Sequence, residues 1–156
     1  MQLLSENKLT FKELNNNINM YINHHVKMTG IIVIIDNELY LIDSDYADYT
    51  KNYKQSIKIK LLNKDVAFLF REVIIRYSGG ESFIFHKATI DGKILSKENE
   101  IIIDPFFVTL EQDFPDNTTK LFHIRIDNDK IEFLKKNRFP IFDFDKNSSN
   151  DWLDYF

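Results

Sequence analysis

His24 and His25 are the first residues of the chain with metal-binding or proton-transfer chemistry. Neighbours in an extended segment point to opposite faces, so both imidazoles reach one ion only across a turn. A zinc site would need a third ligand from His86 or His123, and the spacing follows no zinc pattern. The pair reads as two solvent-facing turn residues. Asp43, Asp45 and Asp48 carry the alternating carboxylates of a calcium loop. Such a loop needs glycine where Ala47 stands and a bidentate glutamate beyond, and it has neither. Aspartates capping their own loop backbone fit better. Ser82 and His86 share one face of an extended segment, without a third partner for nucleophilic catalysis. Gly79-Gly80 is not followed by the Lys-Ser/Thr pair of a phosphate cradle, and neither a dinucleotide fingerprint nor a G-x-S-x-G elbow occurs. The absence of cysteine removes disulfides, thiolate metal sites and cysteine nucleophiles. The expectation is a protein without catalytic residues, metal or cofactor.

Aromatic residues are the better candidates for function. The 156 residues include 14 Phe and 7 Tyr, and 44% are hydrophobic, which argues for a real core and against disorder. Tyr46, Tyr49 and Tyr53 are spaced along a polar stretch and suit a contact surface, because tyrosine supplies large area at low entropic cost. Trp152 and Tyr155 stand in an acidic C-terminal stretch, where Asp143, Asp145, Asp151 and Asp154 face only Lys146. These five aromatic residues are the expected partner-binding set. The terminal aromatics have two readings, docking on the core or anchoring a partner, and docking is preferred because exposed apolar patches invite aggregation. Phe83 and Phe85 could stack nucleic-acid bases, but burial beneath the flanking segments is the preferred reading.

Charge separates the partner classes. Residues 1–103 hold 13 acidic and 13 basic side chains, whereas residues 104–156 hold 11 and 7, so the net charge of −4 lies in the last third. Nonspecific nucleic-acid affinity needs a basic surface. The acidic balance points instead to another protein, itself basic, with nucleic acid the lesser expectation. The N-terminal residues lack the apolar centre of a signal peptide, and the longest apolar runs are too short to span a bilayer. A cytoplasmic protein without membrane contact is expected.

The elements that must carry these residues alternate in period. Thr10 and Glu13 form a capping box, with Leu9 and Leu14 as its staple, ahead of a helix over about 11–21. Residues 26–35 read as a strand with Gly30 marking a bend or bulge, Asp36-Asn37 as a turn, and 38–43 as the return strand. Residues 44–55 read as a loop and 56–62 as a strand. Residues 65–77 take helical spacing, capped by Asn63 or Asp65 and ended by Gly79-Gly80. Residues 82–91 form a strand closed by Gly92. Pro105 interrupts pairing between two short strands, at 100–103 and 106–110. A strand over 120–126 and a helix over 129–136 follow.

This order resembles small bacterial OB-fold domains over about residues 21–94. The resemblance rests on Tyr21-Ile22, on the phrase Val26-Lys27-Met28-Thr29-Gly30, on the return strand Leu39–Ile42, and on Gly79-Gly80. Phe83–Ala88 and Ile90-Asp91-Gly92-Lys93-Ile94 complete it. It implies a mostly β, α+β protein: an OB-like five-stranded barrel over 24–111, an N-terminal helix over 1–23 and a C-terminal extension over 112–156, all in one domain. The expected function is a non-enzymatic protein-binding module, of the kind that toxin-immunity and antitoxin proteins represent. Single-stranded nucleic-acid binding, which the OB resemblance implies for the class, is the alternative.

Overall fold

The computed structural model describes residues 9–43, 57–74 and 86–137. It is mostly β, and its order follows from local signals. The capping box at Thr10 forms as expected: the Glu13 N–H donates to Thr10 Oγ1, and the Thr10 N–H donates to the Glu13 carboxylate, both at 3.0 Å. Helix α1 (Phe11–Asn16) buries Phe11 and Leu14. The expected helix over 11–21 does not run through. Asn17 leaves helical geometry, its side-chain amide donates to the Glu13 carbonyl, and α2 (Ile18–Tyr21) restarts beyond it. Asparagine side chains compete with the backbone for these carbonyls, which explains the break in an Asn15–Asn17 run.

Six strands follow among the described residues: β1 (His25–Ile35), β2 (Glu38–Asp43), β3 (Lys58–Leu61), β4 (Lys87–Lys97), β5 (Glu100–Asp113) and β6 (Thr119–Arg125). Between β3 and β4, a 3₁₀ turn (Lys64–Val66) leads into α3 (Ala67–Val73), with Asn63 Oδ1 accepting from the Asp65 N–H at 3.0 Å. Helix α3 ends at Val73, short of the expected Tyr77, with Ile74 already extended as its C-cap; Val73 and Ile74 are β-branched and lose rotamer freedom in a helix. Helix α4 (Asn128–Asn137) closes the described chain.

Among the described residues, all the pairings between these strands are antiparallel except one, and an isolated parallel bridge joins Ile22 to Ile94. β1 pairs with β2 and β4, β5 with β4 and β6, and β2 with β3. A short parallel seam, Lys60↔Ile102 and Leu61↔Ile103, joins β3 to β5 and closes β1–β2–β3–β5–β4 into a ring. β5 therefore gives one edge to two partners in turn, β3 at its start and β6 from Phe107 onward.

Gly92 and Pro105 act differently from expectation, and of the bend or bulge expected at Gly30 the bulge is not there. Gly30 pairs with both Asp43 and Ala88, at the point where β1 passes from β4 to β2. A Cβ there would run into the Ile42 carbonyl oxygen, so the position requires close approach, and no register shift occurs at it. The bulge lies instead at Asp91/Gly92, opposite Pro105–Phe107. Gly92 does not close a strand: β4 runs on to Lys97, and a Cβ at Gly92 would lie 2.6 Å from the Asp104 carbonyl oxygen. Pro105 does not divide two strands either. It is accommodated within continuous β5 at that bulge, where ladder pairing is already disrupted.

Inside the ring, Met28, Ile32, Leu41, Ile59, Ile90 and Val108 form the core, with α1 and α3 packed on it. Ile124, Ile131 and Leu134, from the stretch expected to be an extension, belong to that same core. A second buried cluster, Ile31, Val33, Ile35, Tyr40 and Ile42, lies on the opposite face of the β1–β2 hairpin, as strand alternation requires.

Candidate functional site

Two-residue periodicity places every second side chain of β1, β4, β5 and β6 on the outer face, and the register aligns them in rows. One row runs Lys27, Asp91, Phe107, Arg125; the next runs Thr29, Thr89, Thr109, His123. Lys27 and Asp91 form an ion pair at 3.9 Å, with both side chains partly exposed. The Thr29 and Thr89 hydroxyls hydrogen-bond at 2.9 Å, and Thr109 Oγ1 lies 3.2 Å from His123 Nδ1. His123 stacks on Phe107, with ring centroids 6.1 Å apart and planes 18° from parallel. The result is an extended surface of hydroxyls and one aromatic–imidazole stack, with its Lys27 charge balanced by Asp91.

A different chemistry occupies the outer side of β2 and β3. The Tyr40 hydroxyl donates to Glu100 at 3.1 Å, Lys58 lies 5.9 Å above the tyrosine ring, and Lys60 pairs with Glu100 at 3.6 Å. Burial and the Glu100 carboxylate push the Tyr40 phenol well above its ordinary range, so it stays a neutral donor. Tyr40 is only 9% exposed, which leaves little ring for stacking a ligand.

A cleft of about 470 Å³ opens where β1 begins, between the β3–α3 and β6–α4 connections. It brings together His25, Lys93, Asp104, Asn63 and Asn128, with Phe106 on its rim. His25 meets Phe106 edge-on, at 5.1 Å between centroids. The cleft offers an imidazole, an ammonium and a carboxylate, but no hydrogen bond joins the three among the described residues. It is a polar recess and not an assembled relay.

Tyr46, Tyr49, Tyr53, Trp152 and Tyr155 lie outside the described residues, as do Phe83, Phe85, Ser82, Asp45 and Asp48. His24 and His25 are exposed, and His123 belongs to the threonine row on another strand. Among the described residues, no three of His, Asp and Glu converge as an ion site, and no helix is long and apolar enough to cross a membrane. Sequence reading missed the threonine row. Its members are 60 residues apart at Thr29 and Thr89, and no local motif announces a cross-strand row. No protein-family profile matches the chain, and no curated protein matches it.

Proposed function

We propose that the ring is an OB-type barrel acting as a non-enzymatic protein-binding module, with the outer face of β1, β4, β5 and β6 as its contact surface. The strand order around the ring, the parallel closing seam and a helix between the third and fourth strands support the barrel assignment. The observation that carries the function is the threonine row flanked by the Phe107–His123 stack. A surface of matched hydroxyls with one aromatic anchor suits the polar, hydrogen-bonding character of a protein interface. An immunity or antitoxin role is one specific form of this reading.

The second reading, single-stranded nucleic-acid binding, has Lys58, Lys60 and Tyr40 on β2 and β3 in its favour. Glu100 offsets Lys60, and Tyr40 offers little ring area, whereas base stacking needs an accessible aromatic face. The test is capture from cell extract with and without nuclease, using wild type and a Thr89→Arg/Thr109→Arg variant. A protein partner that survives nuclease and is lost on the variant supports the proposal. Submicromolar oligonucleotide binding with a steep salt dependence overturns it in favour of the second reading.

A further inference from the structure

The ring closes on itself, but β6 lies outside it and, among the described residues, pairs only with β5. Its hydrogen-bond phase can be read from its two ends. The Ile126 N–H donates to the Phe106 carbonyl, and the Phe114 N–H donates to the Thr118 carbonyl. Antiparallel pairs alternate between bonded and non-bonded, so Lys120, Phe122 and Ile124 direct their backbone groups to β5. The N–H and C=O groups of Leu121, His123 and Arg125 therefore point to the open side, and none of them has a partner among the described residues.

The formally charged side chains of that edge, Lys120 and Arg125, share one sign. Between Thr119 and Arg125 the strand carries Lys120, His123 and Arg125 and no acidic residue, an exception within the acidic last third of the chain. Lys120 lies 5.1 Å above the Phe122 ring, and neither Lys120 nor Arg125 forms an ion pair among the described residues. Leu121 is 51% exposed beside them. Repulsion between like charges disfavours a second copy of the same strand. Resting on the protein-binding reading, we infer that β6 is a strand-addition site, which takes an extended, acidic segment of a partner protein as a further strand of the sheet. Backbone pairing supplies the register, and carboxylates at alternate positions meet Lys120 on one face or Arg125 and His123 on the other.

The test uses the full chain, labelled for amide spectroscopy, with two capped peptides as long as β6, one alternating valine with glutamate and one alternating valine with lysine. The glutamate peptide is expected to shift the Leu121, His123 and Arg125 amides and slow their exchange, and to bind at least about tenfold more tightly than the lysine peptide. His123→Pro removes a donor from the open side but none from the β5 ladder, so it should abolish binding while the fold persists. If that variant fails to fold, Lys120→Glu/Arg125→Glu serves instead and should reverse the preference between the peptides. Equal binding of the two peptides, shifts mapping elsewhere, or edge protection that appears only with dimerisation of the chain would overturn the inference. A natural partner lost on Thr89→Arg/Thr109→Arg but retained on Lys120→Glu/Arg125→Glu would overturn it too, while leaving the protein-binding reading intact.

Discussion

At the scale of single residues, the sharpest demands are steric. Gly30→Ala forces a methyl group into the backbone of Ile42, which belongs to a paired strand and cannot swing away. Overpacking of this kind costs about 1–3 kcal/mol, and chemical denaturation should place Gly30→Ala at the upper end of that range. The β4–β5 turn has the opposite potential. Glu98 and Asn99 hold φ of 53° and 64°, a left-handed pair that suits Asn-Gly better than Glu-Asn. Glu98→Asn with Asn99→Gly should raise stability by roughly 0.5–1 kcal/mol in the same measurement. Glu13 makes a pH prediction. Its hydrogen bonds from the Thr10 backbone and hydroxyl hold its carboxyl below the ordinary value of 4.5. A lowered folded-state pKa contributes stability above the unfolded value and loses it as pH falls through the folded one. The stability difference between wild type and Glu13→Gln should therefore be full above pH 4.5 and shrink below it, as thermal melts across acidic pH would record.

At the scale of elements, α4 is fastened by two apolar side chains, beside an ion pair from Lys135 to Asp65 at 3.0 Å. Ile131 and Leu134 are 1% and 2% exposed, whereas Phe133 on the other side is 58% exposed. Leu134→Ala should cost about 2–5 kcal/mol and Phe133→Ser less than about 0.5 kcal/mol, so equal losses in denaturant titrations would contradict the packing described. Periodicity made α4, β6 and the first hairpin legible in the sequence, because each carries its own pattern and its own turn or cap. It erred where a competing local interaction won, as in the Asn17 break, or where long-range pairing overrode a breaker. Pro105 and Gly92 look like strand ends one at a time, and only their meeting across the hairpin reveals a shared bulge. The threonine row was hidden for the same reason, since register across four strands is not written in any one of them.

At the scale of the whole molecule, the ring is only as closed as its shortest seam. The β3–β5 pairing spans two residue pairs, extended by the Leu62 N–H donating to the Ile103 carbonyl at 2.9 Å. Openings there should need less free energy than openings of the eleven-pair β4–β5 ladder. Native-state hydrogen exchange should show the Leu62 amide exchanging faster than those at the centre of β4, and equal protection would count against a weak seam. The division of the β5 edge between β3 and β6 also sets an order of assembly. Residues of β5 and β6 are joined by a short connection, whereas β3 must return from far along the chain to meet Ile102 and Ile103. Closing the larger loop forfeits more chain entropy, so the β5–β6 hairpin is expected to form before the ring shuts. Substitutions within that hairpin should then slow refolding, while those along the β3 seam should chiefly hasten unfolding.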